Sequence, residues 1–139
     1  MTQADDRFAI YDVCVKYATS LDARDWEGFR GIWLPDCDVH YPGDVHLKGA
    51  EEVTAYCDRA LSRFRITQHF LGNHRVSVEG DTARSVIDLQ ATHVFSAEAG
   101  GAIFTLGGTY TDDLIRTPEG WRIKMRTLTT TWTETSSPA

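Results

Sequence analysis

An α+β fold, with helices at the start of the chain and a long antiparallel meander after them, is the class that the sequence predicts. Two observations carry it. Up to about Phe64 the apolar residues recur at three- and four-residue steps, and from Ile66 onward they recur at every second residue. Turn-forming clusters at residues 79–81, 98–101 and 117–120 then cut the second half into long segments of strand length. Helices followed by a run of antiparallel strands gather on one face of the sheet. A strongly curled sheet of this kind, antiparallel or mixed and closed by three N-terminal helices, makes a cone. Its interior is a favoured place for a small-molecule site.

The first helix is marked by Ile10, Val13, Cys14, Tyr17 and Leu21 on one side, with Asp12, Lys16 and Ser20 on the other. Asp5 or Asp6 is expected to cap its start, and Asp22 follows its end as the chain turns. Asp25 has the character of an N-cap for a short second helix, whose apolar stripe is Trp26, Phe29, Ile32 and Trp33. Leu34-Pro35 stops it, because proline biases the preceding residue away from helix. Residues 37–41 form a short strand ended by the Pro42-Gly43-Asp44 turn. A third helix runs from Gly49 to about Phe64, burying Val53, Tyr56, Cys57, Ala60, Leu61 and Phe64, with Glu51 and Glu52 placed to suit the helix dipole. Residues 66–79, 82–96, 102–116 and 121–133 are four long strands. In the second of these Ala83, Ile87, Leu89, Ala91, His93 and Phe95 share one parity, so His93 falls on the mainly apolar face. Gly72-Asn73 and Gly107-Gly108 are expected as bulges that let the sheet bend. The polar tail, residues 134–139, is expected to fray.

Composition bounds the function classes. At 139 residues the chain is expected to form a single domain, residues 1–139, with 42% hydrophobic and 24% charged residues. A formal charge of −6 argues against a nucleic-acid or anionic-membrane partner, since both need a basic face. No apolar run approaches a membrane span of roughly 18 residues. The acidic start MTQADDRF is unlike a secretory signal, so a cytoplasmic location is expected. Cys14, Cys37 and Cys57 show no CxxC or metal-ligand spacing and are expected to be reduced and buried.

His69 is the centre of the candidate chemistry. It sits in the apolar run Thr67-Gln68-His69-Phe70-Leu71, and an imidazole held in a dry cavity can move protons near neutral pH. Asp22, at the end of the first helix, is the candidate partner, and His93 is a second imidazole on the inner face of the next strand. A metal site built from His69, His93 and Asp22 lacks any supporting spacing such as HxH or HExxH. No metal and no cofactor is therefore expected.

These residues also carry a resemblance. Three helices, a short strand and a four-strand meander ending in Gly120-Trp121-Arg122-Ile123 resemble, over essentially the whole chain, the SnoaL-like, or nuclear-transport-factor-2-like, α+β barrel. Leu21-Asp22-Ala23-Arg24-Asp25-Trp26 and Thr67-Gln68-His69-Phe70-Leu71-Gly72 resemble the segments of the scytalone dehydratase family that carry a catalytic Asp and a catalytic His. His93, in Gln90-Ala91-Thr92-His93, falls where that family has a second catalytic His, and Tyr41 where it has a substrate-binding Tyr. Gly107-Gly108-Thr109-Tyr110-Thr111-Asp112 is similar to a late-strand motif of the hexachlorocyclohexane dehydrochlorinase family, which shares the Asp and His. Leu21 stands in place of a second Tyr of the dehydratases, and no counterpart of their late Ser and Asn ligands is found. Tyr17 stands in place of a Lys of the dehydrochlorinases, which also lack a counterpart of His93.

The resemblance implies elimination across a carbon–carbon bond rather than any particular substrate. In a cofactor-independent dehydration beside a carbonyl, His69 would be the base, Asp22 its orienting carboxylate, Tyr41 a donor to the carbonyl oxygen and His93 the acid for the departing hydroxide. Tyr17, Trp33, Phe70, Phe104 and Met125 are the expected substrate-contacting walls. The expected substrate class is a small hydroxylated cyclic or aromatic carbonyl compound. Rival readings on the same fold are a ketosteroid-isomerase-like or polyketide-cyclase-like enzyme and a non-catalytic ligand-binding module. Thr127, Thr129, Thr131 and Trp132, on the outer face of the meander, suit a homodimer or homotrimer.

Overall fold

The computed structural model describes residues 2–137 and shows three helices packed on one six-stranded sheet. Helix α1 spans Gln3–Ala23, α2 Trp26–Arg30 and α3 Ala50–Leu61. The strands are β1 Trp33–Tyr41, β2 Val45–Lys48, β3 Phe64–Glu79, β4 Thr82–Phe95, β5 Ile103–Thr117 and β6 Gly120–Ser136. Their order across the sheet is β2-β1-β6-β5-β4-β3. All neighbours are antiparallel except β1 and β6, so the sheet is mixed. It curls without closing, and β2 and β3 form its two edges.

Helix α1 begins at Thr2 rather than at Asp5 or Asp6. The Thr2 hydroxyl accepts from the Asp5 backbone N–H, and the Asp5 carboxylate accepts from the Thr2 N–H in return. Asp5 thus completes the cap from inside the helix. At the other end the helix runs to Ala23 and stops at Arg24, which adopts a left-handed conformation (φ 59°). Asp22 lies in the last turn and not beyond it. Asp25 caps α2 as expected, its carboxylate accepting from the Gly28 N–H.

The second helix is shorter than its apolar stripe suggests. It ends at Arg30, and Trp33 already pairs with Ile123 of β6. Proline can sit in a strand where the ladder is irregular. The β1–β6 register shifts between Trp33 and Asp38, around Pro35. Strand β2, absent from the sequence reading, pairs with β1 through Asp38↔Lys48, His40↔His46 and their neighbours. Phe64 is the first residue of β3 rather than the last of α3. The tail expected to fray is largely strand: Glu134, Thr135 and Ser136 pair with Thr105, Phe104 and Ile103. Residues 138–139 lie outside the described residues.

Both glycine pairs mark register shifts, between Gly72 and Arg75 in β3 and between Gly107 and Gly108 in β5. The core lies between helices and sheet. Ile10, Cys14, Tyr17 and Leu21 of α1 and Val53 and Cys57 of α3 meet Ile87, Leu89 and Ala91 of β4, Tyr110 and Leu114 of β5 and Ile123 of β6. All three cysteines are free and buried. Among the described residues no helix is long and apolar enough to cross a membrane.

Candidate active site

Two backbone periodicities bring the acid and the imidazole together. The last turn of α1 presents Asp22 towards β3, and the alternation of β3 sends Thr67 and His69 inward while Gln68 and Phe70 point out. The His69 Nδ1–H donates to Asp22 Oδ1 at 2.7 Å, and the His69 backbone N–H donates to Asp22 Oδ2 at 2.8 Å. A third donor, the Thr67 hydroxyl, reaches Oδ1 at 3.0 Å. The His69 side chain is 6% exposed and that of Asp22 is 22% exposed.

This geometry fixes the chemistry each group can do. An ionised carboxylate only accepts, so Nδ1 of His69 carries the proton and Nε2 carries the lone pair. Burial pushes the Asp22 carboxyl up, but the bonds and charge of His69 and the donation from Thr67 outweigh it. Its pKa is held below the usual 3.8. Asp22 is therefore a stable anion throughout the range in which an imidazole titrates.

His93 is 5.8 Å from His69, ring to ring, in an edge-on arrangement. Its Nδ1–H donates to the carbonyl of Phe104, its cross-strand neighbour, at 3.1 Å. Nε2 of the neutral ring is thus again the acceptor. Burial pushes the His93 pKa below its ordinary 6.5, so the neutral form is favoured at neutral pH. Phe64 and Phe104 pack on its two sides, at 4.8 and 5.3 Å.

On the helix side the Tyr17 and Tyr41 hydroxyls are 2.7 Å apart, and Tyr41 also lies 3.6 Å from the Cys57 thiol. The Tyr17 ring stands edge-on to His69 at 6.4 Å. Burial raises both phenols, Tyr17 to about 12 and Tyr41 well above its ordinary value, so both keep their protons and remain donors. Trp33 packs edge-on to Tyr17 at 5.9 Å.

Two of the expected wall residues are elsewhere. Phe70 is 72% exposed on the outer face, as its neighbour His69 points in. Met125 also faces outward. It lies opposite Asp113, whose carboxylate takes Arg84 on the exterior. Simple alternation from Trp121 and Ile123 sends Met125 inward. The register shift between Asp113 and Leu114 instead places Arg126 on the inner face.

Arg126 is a core residue that pattern reading missed. It is fully buried and forms a two-bonded pair with Asp112, each bond 2.7 Å. Its guanidinium lies between the rings of Tyr17 and Tyr110, 4.2 and 3.9 Å from their centres. Thr67 and Arg24 were also missed as members of the site, although the inward parity of Thr67 was available from β3. A hollow flanked by Phe70 and Trp132 lies on the exterior of the sheet, away from both imidazoles. Among the described residues no group of three or more His, Cys, Asp or Glu is arranged to hold a metal ion.

Helices on a curled mixed sheet, with a carboxylate from the first helix bonded to an inward imidazole, define a small α+β cone with a hydrogen-bonded carboxylate–imidazole pair inside. The chain belongs to the SnoaL-like domain family, whose model matches residues 2–127. An uncharacterized protein of Mycobacterium tuberculosis, Rv2910c, is 31% identical over 127 residues, covering 91% of this chain and 86% of that protein. A putative scytalone dehydratase from Novosphingobium aromaticivorans has a similar structure, with TM-score 0.82 and 24% identity over 94% of this chain and 90% of that one. The hexachlorocyclohexane dehydrochlorinase LinA-type3 from Novosphingobium barchaimii has TM-score 0.88 and 18% identity over 99% and 94%. At these identities the two structures share the fold with this chain.

Proposed function

We propose that the protein is a cofactor-independent lyase that removes water from a small hydroxylated cyclic or aromatic carbonyl compound. The observation that carries this reading is the bond of 2.7 Å between Asp22 and His69, which leaves the His69 Nε2 lone pair for a substrate proton. Nε2 takes the proton on the carbon beside the carbonyl, and the C–H electron pair moves into an enolate. Asp22 stabilises the imidazolium as it forms. One hydroxyl proton of the Tyr17–Tyr41 pair is used in their mutual bond; the other, within reach of the Cys57 thiol and of Tyr110, turns to the enolate oxygen when substrate is bound. The enolate then re-forms the carbonyl as the C–O bond breaks. The departing hydroxide takes a proton and leaves as water.

By resemblance that last proton would come from His93. Its lowered pKa and its bond to Phe104 make the neutral ring a holder of the substrate hydroxyl, accepting through Nε2. Neutral His93 has no proton on Nε2 to give, so the hydroxide takes the one collected by His69, whose ring lies 5.8 Å away, and both imidazoles end the reaction neutral. Trp33 and Phe104 complete the apolar walls. Exposed Trp132, with Thr127, Thr129 and Thr131, supports assembly as a homodimer or homotrimer. Three unpaired cysteines suit a reducing cytoplasm.

A screen of hydroxylated carbonyl compounds, read by mass spectrometry for loss of one water, tests the proposal. Turnover abolished in His69→Ala is the expected result. Turnover unchanged in that variant overturns the base assignment. The close packing around the two imidazoles favours, as a second reading, a non-catalytic small-ligand-binding module. Ligand binding with no pH dependence between about pH 5 and 8 would select it, because an imidazole that works titrates in that range.

A further inference from the structure

The residue that ends α1 is in an uncommon state. Arg24 has φ 59°, a conformation that glycine adopts without a Cβ clash, yet the position carries a long cationic side chain. Its guanidinium is put to specific use. Nη1 donates to the Leu21 carbonyl at 2.8 Å and to the Thr67 hydroxyl oxygen at 2.8 Å. The Thr67 hydroxyl then donates to Asp22 Oδ1 at 3.0 Å. Because Arg24 occupies a lone pair of the Thr67 oxygen, the one proton of that hydroxyl is turned towards Asp22.

From this chain of bonds we infer that Arg24 and Thr67 are positioning residues for the Asp22–His69 pair. They act as a relay, Arg24 to Thr67 to Asp22 to His69, that holds the carboxylate plane so that one oxygen faces the ring nitrogen and the other the backbone N–H. The carboxylate has three donors, from the His69 ring, the His69 backbone and Thr67. Only the Thr67 donor is independent of His69 itself. Without it the carboxylate is held solely by the group it is meant to orient, so it can turn away from the ring, and in that turned state nothing holds the imidazole proton on Nδ1. Among the described residues Arg24 makes no hydrogen bond of its own to His69 or Asp22; it also donates to the Leu21 and Leu61 carbonyls at the helix ends, and its hydrogen-bonded route to the pair runs through Thr67. The inference rests on the Asp22–His69 reading of the site but not on the reaction proposed for it.

The test is the ring tautomer of His69 in the ligand-free, full-length protein, read by nitrogen NMR of ¹⁵N-labelled histidine. Wild type is expected to show the Nδ1–H form. Thr67→Val and Arg24→Gly are each expected to raise the share of the Nε2–H form above that of wild type, because a carboxylate free to turn leaves Nδ1 without its acceptor for part of the time. Thr67→Ser should restore the wild-type signal. The double variant should show no more than Thr67→Val alone, because two links of one relay are not additive. Arg24→Gly also relieves the left-handed conformation, so it remains a folded probe if Thr67→Val does not fold. An unchanged tautomer in Arg24→Gly, or effects of the two variants that add independently, overturns the relay. A shifted tautomer in a protein that dehydrates nothing in the screen keeps the relay and removes the lyase reading.

Discussion

Asp22 holds His69 at two points, the ring Nδ1–H at 2.7 Å and the backbone N–H at 2.8 Å, one to each carboxylate oxygen. Two bonds fix the direction of the ring as well as its tautomer. Replacing Asp22 with Asn keeps the size and most of the packing, but lets an amide N–H face Nδ1. The His69 proton would then move to Nε2, the position that must be empty to accept one. Turnover of whichever compound the screen identifies is expected to fall by about 10²–10⁴ in Asp22→Asn and in His69→Ala. A loss confined to His69→Ala would mean that Asp22 serves the helix end alone.

Acid is expected to destabilise the fold in two steps. His93 and His74 both have pKa values pushed below 6.5, in each case chiefly by burial. The unfolded chain therefore binds protons that the folded chain refuses. Their contribution is complete above about pH 6.5. It is lost as pH falls from there through the folded pKa values. Asp22 has a depressed carboxyl, so its contribution is present above its unfolded pKa of about 3.9 and disappears as pH falls through its folded value. Urea midpoints measured between pH 7.5 and 3 would read this, with about pH 6.5 as the first break. His93→Asn, whose side-chain amide can still donate to the Phe104 carbonyl, should shrink the first step to the share that His74 contributes. A midpoint that rises on acidification from pH 7 would contradict the assignment.

The buried ion pair supports the phenol side of the site. Arg126 has no exposed surface, and the charge of Asp112 keeps it protonated against the burial that opposes it. Removing one member leaves the other charge buried and unpaired, which costs about 3–5 kcal/mol. Asp112→Asn is expected to lower stability by that amount in urea unfolding. Replacing the pair together with apolar residues of similar volume should recover most of it. The double variant should still lose activity, because the guanidinium between Tyr17 and Tyr110 also sets the position of the Tyr17 ring. Full activity in a stable double variant would separate the pair from the site.

Much of the arrangement of the candidate site was legible in the sequence because it depends on short-range periodicity. The alternation of β3 and β4 is enough to send His69 and His93 to one face, and the end of the α1 stripe is enough to bring Asp22 near. The same rule places Phe70 outside, and it was grouped with the walls only because of its apolar character. What escaped was set by long-range pairing. The β5–β6 register shift that exchanges Met125 for Arg126 leaves no local signal, since Lys124-Met125-Arg126 reads as ordinary alternation. Strand β2 is four residues of mixed polarity whose pairing with β1 is tertiary. The Trp33-Leu34-Pro35 segment has the local character of a helix end, because proline stops helices. Its actual partner, Ile123, is ninety residues away along the chain.

The glycine pair in β5 offers a test of how the sheet is bent. A Cβ added at Gly107 would meet the Trp132 indole at 2.1 Å, while one added at Gly108 would meet the Thr129 carbonyl oxygen at 2.5 Å. Both are overlaps, but the obstacles differ. Trp132 is 41% exposed and its ring can swing into solvent, whereas the Thr129 oxygen belongs to the backbone of the paired strand. Gly108→Ala must therefore spread β5 from β6 beside the register shift, at a cost of about 1–3 kcal/mol, the range for overpacking in a well-filled region. Gly107→Ala should cost less and should increase the accessibility of Trp132. Unfolding curves together with quenching of tryptophan fluorescence by acrylamide would read both. If Gly107→Ala proves the more damaging, the indole rather than the β6 backbone is what fixes the bend.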